Sequence, residues 1–351
     1  MTEPGRGART MRAAVFAGAG RVAIESRPAP SLASAQDVLV AVEACGLCGT
    51  DLHILEDPPG HPATPGVILG HEIVGRVTAA GPEASGVSPG DRVAVAPNLP
   101  CGTCSACKWG HLSHCERLSS LGIFRDGGLA ELVSAPARAC HRVSERVATG
   151  PAALIEPLSC VLNGVDQGAP RAGEVAVIFG AGAIGLLFLA VLRAGGVRCV
   201  VVEPLAARRQ AARQMGAVAV VDPSLQEVGP ILAGWAPAGA DLAVDAVGTR
   251  VVEALAHTRA RGRVVVFGMN SRARAEIAQN DLTRRELRIL GTYVGDLGFP
   301  PAVRLLESGL LDLSPLVSHL WPLERLDDAL VALRTGAAVK VVLTPGPPGG
   351  G

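Results

Sequence analysis

Apolar and polar positions change rhythm twice along this chain. From about residue 11 to 160 the apolar residues come in short alternating runs, such as the Asp-Val-Leu-Val-Ala-Val of 37–42, broken by frequent Gly and Pro. That rhythm predicts an irregular, mostly antiparallel β domain. From about 170 to 295 the texture becomes strand and helix in alternation, with strands expected at 174–179, 198–203, 217–221, 241–246, 263–267 and 287–292. Helical stretches lie between several of them, including 205–215, which Gly216 stops. Such alternation implies a doubly wound parallel sheet with right-handed crossovers. Beyond it come amphipathic helices near 301–307 and 323–333 and a strand at 339–343. These last fifty or so residues exceed a loop and fall short of a third domain, so they are expected to return and complete the first. The expected division is 11–165, 166–295 and a return segment 296–345, with 1–10 and 346–351 disordered.

Composition narrows the partners. The 351 residues suffice for two domains. Lys and Arg total 32 and so do Asp and Glu, which leaves no basic surplus for nucleic acid or an anionic membrane. Residues 175–192 carry no charge and reach the lower limit of a membrane span. Gly180, Gly182 and Gly185 in its middle, and the lack of an aromatic belt, favour a buried strand turning into a buried helix. The first ten residues hold no apolar stretch of the signal-peptide kind. Nine cysteines are too many by one for a purely disulfide framework. Four of them cluster at metal-like spacing, as expected of a cytoplasmic protein with reduced thiols.

Three groups of residues carry chemistry. In Gly180-Ala181-Gly182-Ala183-Ile184-Gly185, the glycines follow an expected strand and open an expected helix. The first allows a tight turn, the second admits a pyrophosphate, and the third lets helix and strand approach, while the helix start offers N–H groups to phosphate. The next strand ends on Glu203, whose carboxylate can accept from ribose hydroxyls and repel a 2′-phosphate, favouring NAD over NADP. Arg208 and Arg209 stand close by and could accommodate that phosphate instead, or simply line a solvated helix face. Next, Cys101, Cys104, Cys107 and Cys115 lie on one loop at the spacing of a closed, four-thiolate structural zinc, with Zn–S near ~2.3 Å. His111 and His114 offer the rival set of three thiolates and one imidazole. The third group is wider: Cys48-Gly49-Thr50-Asp51-Leu52-His53, Gly70-His71-Glu72, and Glu156-Pro157-Leu158-Ser159. A thiolate, an imidazole and one or two carboxylates could hold a metal while leaving a position open for substrate. Cys45 and Cys48 read alternatively as a redox dithiol, but that motif wants a helix start in a thioredoxin-like unit.

Together these motifs, in this order from about residue 11 to 343, resemble the zinc-containing medium-chain dehydrogenase/reductase family, in its polyol (sorbitol-like) and threonine dehydrogenase branch. The resemblance implies an irregular GroES-like catalytic domain with a structural zinc lobe at 101–115 and a Rossmann domain. Two zinc ions per chain, NAD, a small-molecule alcohol substrate and a homodimer or homotetramer follow from it. It makes Cys48, His71, Glu72 and Glu156 the donors around a catalytic zinc, with Glu156 where alcohol dehydrogenases of another branch carry cysteine. Asp51 resembles the acid that orients a ligand histidine, and Thr50 and His53 resemble a proton relay. Phe124, Arg125 and Asp126 fall where relatives line the substrate cleft, and Ile54 and Leu55, following the relay histidine, imply a less polar or differently shaped pocket than that of sorbitol enzymes. The activity implied is hydride transfer between the carbinol carbon of a secondary alcohol and NAD, the alcohol being a polyol, sugar alcohol, amino alcohol such as threonine, or short diol. A non-catalytic binding member of the family, and its zinc-free quinone-reductase branch, are the readings set against it.

Overall fold

The computed structural model describes residues 9–295 and 297–346. Most of the stretches expected to be disordered therefore lie outside the described residues. Thr10, however, opens a strand, and the Arg9 carbonyl accepts the Ala29 N–H at 2.8 Å.

The chain forms two compact units, Met1–Glu156 with His319–Gly351, and Pro157–Ser318. The divisions thus fall at 156/157 and 318/319, against the expected 165/166 and 295/296. The helix Phe299–Glu307 goes with the second unit. Its amphipathic period shows that one face is covered, but not which layer covers it.

In the first unit the alternating runs become antiparallel strands. Asp37–Gly46 is central, pairing with Glu72–Ala80, Leu132–Pro136 and Lys340–Thr344, while Arg92–Val95 and Cys140–Arg142 extend the sheet. Val38, Val40 and Val42 alternate onto one face and bury with Ile73, Val93 and Val95 in the same core. Register then decides which residues meet at the end of the central strand. Gly46 lies opposite Glu72 on one side and Val342 on the other. Lys340, two residues before Val342, shares its face of the strand. Two chain segments far apart in sequence are thereby brought together.

In the second unit six parallel strands lie in the order Ala219–Val221, Arg198–Val202, Val175–Phe179, Ala240–Asp245, Thr258–Val266 and Arg288–Gly291. All five residues of Val175–Phe179 are buried, as a central parallel strand requires. The chain reverses direction across the sheet between this strand and Ala240–Asp245, the switch point at which such folds bind ligands. The fifth strand starts at Thr258, five residues before the expected 263. Its early part holds Arg261 at φ 62°, and pairing skips from Ala240 to Leu242, so this irregular stretch lacked the apolar run that marks a strand. Among the described residues no helix is long and apolar enough to cross a membrane.

Candidate functional site

The cysteine lobe is built from a four-residue helix, Ser105–Lys108, and a 3₁₀ turn, Leu112–His114. These bring the sulfurs of Cys101, Cys104, Cys107 and Cys115 within 4.8 Å of one another, without His111 or His114 in the group. Backbone N–H groups aim at the sulfurs. Thr103 and Cys104 donate to Cys101 Sγ at 3.4 Å, and Cys101 and Arg117 donate to Cys115 Sγ at 3.3 Å. Those donors, the Thr103 N–H foremost, bring the Cys101 thiol down to about 5. Burial pushes Cys107 up to about 12, a shift that a bound dication reverses. None of the four is in a disulfide. Four converging sulfurs with N–H support suit a closed tetrahedral zinc.

The second cluster grows from a short helix, Gly49–Ile54. Cys48 caps its start, its sulfur accepting the Thr50 N–H at 3.5 Å, while Asp51 Oδ2 accepts the Cys48 N–H at 2.9 Å. This reciprocal box fixes Asp51, which is wholly buried, so that Oδ1 stands 3.7 Å from His71 Nδ1. Neither Asp51 Oδ1 nor His71 Nδ1 has a hydrogen-bond partner. Cys48 Sγ, a His71 ring nitrogen and a Glu72 carboxylate oxygen all lie within 4.8 Å of one another. Glu156 is buried in the first turn of Ile155–Gly168 but is outside that trio.

Charge gives the cluster its character. Burial works to lower the His71 pKa, yet the negative charges of Asp51, Cys48 and Glu156 carry it well above the usual value. Burial also works against Lys340, and Glu72, Cys48 and Glu156 nonetheless raise it. A buried pocket that raises the pKa of both bases within it is one that favours a cation. Thiolate, imidazole and carboxylate are donors that zinc accepts.

Lys340 is not foreseen from the motifs. It is 3% exposed and contacts both carboxylate oxygens of Glu72, itself wholly buried. The available signal was a lone cation inside the apolar run Val339-Lys340-Val341-Val342-Leu343. Thr50 is half-buried on the first turn of the capped helix, and His53, one turn on, is exposed with Nδ1 2.8 Å from Glu56 Oε1. Ile54 and Leu55 pack into the core of the unit. They are therefore packing residues, and the less polar pocket inferred from them does not follow. Asp126 is also structural, accepting the Ile68 N–H at 2.9 Å, while Phe124 and Arg125 are exposed.

In the second unit the glycine fingerprint occupies the turn from Val175–Phe179 into the helix Ala183–Ala194. Gly182 caps that helix, and Ala183, Ile184 and Gly185 supply its first N–H groups. Glu203 is tied down more firmly than expected. Its Oε2 accepts the Ala181 N–H at 2.7 Å and its Oε1 the Leu205 N–H at 2.9 Å, joining the fingerprint turn to the next loop. A cavity of about 420 Å³ opens beside it, lined by Gly180, Glu203, Arg208, Val247, Arg250 and His257. That volume is in the range of small-molecule sites. Arg209 is committed elsewhere, donating to the Glu203 and Pro204 carbonyls and pairing with Asp222 at 2.8 Å. Asp245, also unforeseen, accepts from the backbone of Val247, Gly248 and Arg250 and so shapes the opposite wall.

Comparison with known proteins agrees with this layout. Residues 34–145 match the alcohol dehydrogenase GroES-like domain, and residues 183–308 match the zinc-binding dehydrogenase family. D-altritol 5-dehydrogenase of Agrobacterium fabrum is 34% identical, over 90% of this chain and 94% of its own. D-xylulose reductase A of Aspergillus oryzae is 30% identical, over 94% and 95%. The crystal structure of a protein assigned as a zinc-binding dehydrogenase from Sinorhizobium meliloti, bound to NADP, superposes with a TM-score of 0.91 at 33% identity, covering 96% of this chain and 99% of that one.

Proposed function

The chain belongs to the zinc-containing medium-chain dehydrogenase/reductase family and is an NAD(P)-linked alcohol dehydrogenase; from that premise we propose that it interconverts a secondary hydroxyl of a polyol or sugar alcohol and the matching ketone, with NAD as the preferred hydride carrier. The observation that carries this reading is the cluster of Cys48, His71 and Glu72, whose donor atoms lie within 4.8 Å of one another, with His71 and Glu72 buried. Cys48 and His71 would hold a zinc ion with a carboxylate from Glu156 or Glu72. Bound there, zinc supplies Lewis acidity that lowers the pKa of a substrate hydroxyl, and the nicotinamide cofactor supplies the hydride chemistry.

The remaining roles belong to the chain itself. Asp51, held by the Cys48 N–H, keeps its charge 3.7 Å from His71 Nδ1, which favours the ring orientation that points Nδ1 toward it. The Thr50 hydroxyl takes up the substrate proton as it gives up its own, which leaves by way of His53 to solvent, the His53 ring being steadied by Glu56. In the second unit the N–H groups of Ala183, Ile184 and Gly185 bind pyrophosphate, and Gly180 and Gly182 clear its path. An NAD-reduction screen over polyols, sugar alcohols, amino alcohols and short diols tests the substrate class. Turnover of at least one secondary polyol is the expected outcome, and activity confined to primary alcohols would refute it.

Preference for NAD rests on Glu203, an anion with 3% exposure on the cavity wall. Glu203→Ala removes both the charge and two backbone anchors. The ratio of kcat/KM for NAD over NADP should fall roughly tenfold or more, about 1.4 kcal/mol of lost discrimination. An unchanged ratio would leave Arg208 as the governing residue. The edge strand Arg288–Gly291, with Ile289 exposed, supports a homodimer or homotetramer built on the second unit, which light scattering would read as two or four chain masses. A cytoplasmic setting is proposed on the strength of the four lobe cysteines, Cys101, Cys104, Cys107 and Cys115, none of them in a disulfide.

A further inference from the structure

Backbone strain in the second unit centres on Val294. Among the described residues five non-glycines have positive φ, and Val294, at 46°, is the only one of them branched at Cβ. Left-handed backbone brings Cβ too close to the following carbonyl oxygen, and a branched residue holds it only where its surroundings impose it.

Those surroundings are the helix Ile155–Gly168. Asn163 Nδ2 donates to the Val294 carbonyl at 2.8 Å and to the Tyr293 carbonyl at 3.3 Å. Both partners can only accept, so the amide nitrogen, with its two N–H groups, is the end that faces them. Two glycines let the segment lie directly on the helix. A Cβ on Gly295 would stand 2.2 Å from Ser159 Oγ, and one on Gly298 2.5 Å from the Ser159 carbonyl oxygen. The helix is itself seated close on the sheet, since a Cβ on Gly168 would stand 3.1 Å from Val265 and 3.2 Å from Leu242. Asn163 therefore pulls on the segment from a rigid base.

The place of the segment gives the clamp a purpose. Thr292 directly follows the sixth strand, Arg288–Gly291, at its C-terminal end, and ligands of such sheets bind at that edge. The cavity beside Glu203 draws Phe179, Val202 and Glu203 from the strand ends on one side of the switch point. A dinucleotide with its adenosine there carries its other half over the ends of Ala240–Asp245, Thr258–Val266 and Arg288–Gly291. Thr292 Oγ1 is buried and has no hydrogen-bond partner, a polar group of the kind a bound ligand completes. We infer that Asn163 is a positioning residue for the nicotinamide end of the cofactor: it clamps Val294 in strained backbone and so fixes the segment 292–295 on which that end rests. This rests on the reading of the second unit as the binder of the dinucleotide. Glycine at 294 would adopt the same φ without strain, but would leave the segment free to adopt others. Valine under a clamp leaves it one conformation, formed before the cofactor arrives.

NADH and ADP-ribose differ by the nicotinamide, so titration of both against the purified protein locates the effect. Asn163→Ala should weaken NADH binding about tenfold, the scale of a lost hydrogen bond, and leave ADP-ribose within about a factor of two of wild type. Adding Val294→Gly, which removes the strain that would draw the segment away, should bring NADH back to within about a factor of three of wild type. Unchanged NADH binding in Asn163→Ala, an equal loss for ADP-ribose, or no recovery on adding Val294→Gly overturns the inference. If Asn163→Ala does not fold, Asn163→Ser, which keeps a single donor, is read by the same two ligands: a loss confined to NADH supports the clamp, and any other result overturns it. A wild-type protein that binds neither ligand would sink the dinucleotide reading itself, and the role of Asn163 with it.

Discussion

Cys48→Ser is expected to release one zinc per chain and lower kcat/KM by at least about 10³-fold, with the second zinc and the fold retained. Zinc acting as a Lewis acid takes several kcal/mol off the reaction barrier, and each 1.36 kcal/mol is a factor of ten. Serine keeps the size of the side chain and can still accept the Thr50 N–H, so the helix Gly49–Ile54 should keep its cap. What it cannot supply is a thiolate. The remaining zinc stays because its four sulfurs belong to another loop, with N–H donors of its own. Metal analysis and steady-state kinetics on the same preparation read both numbers. Undiminished turnover, or loss of both ions together, would break the division into an open and a closed site.

The two sites are not equally readable in the sequence, and the reason is range. The cysteine lobe spans fifteen residues, so its spacing almost dictates convergence, and the sulfurs do converge. The fingerprint is equally local. The Cys48–His71–Glu72 cluster spans more chain, yet strand register places Glu72 beside Gly46, two residues before Cys48. Lys340 is invisible for the opposite reason. It meets Glu72 across 268 positions, and only the pairing of the last strand with the central one brings it there. Glu203 stands where the pattern predicts but does more than the pattern says, because a carboxylate closing a strand can face a ligand or a neighbouring turn. Two backbone N–H groups, not sequence position, show that it also braces the turn. The helix Phe299–Glu307 is legible as a helix, yet it joins the second unit and not the first. A hydrophobic face records that something covers it without saying what.

The largest effect in the second unit is expected at Gly185. A Cβ there would stand 1.9 Å from the Gly180 carbonyl oxygen and 2.9 Å from its carbon, closer than any real side chain approaches backbone. Gly180 cannot easily yield, since its φ of 97° already occupies a region that favours glycine and its N–H is bound to the Val202 carbonyl at 2.8 Å. In Gly185→Ala the helix Ala183–Ala194 must therefore shift away from the strand it follows. Its first N–H groups move with it, and those are the groups proposed to meet the pyrophosphate. Displacement of about 1 Å in a binding group can cost about 10²-fold. NADH affinity, followed by fluorescence titration, should weaken by at least that factor, or about 2.7 kcal/mol. Zinc content should not change, because every cysteine and histidine proposed as a donor lies in the other unit. A dissociation constant within a factor of three of wild type would mean that the helix start does not bind the cofactor. Loss of zinc along with NADH would mean general unfolding and leave the glycine with a structural role alone. Weak cofactor binding in a fully metallated protein is the outcome that assigns this turn to the dinucleotide.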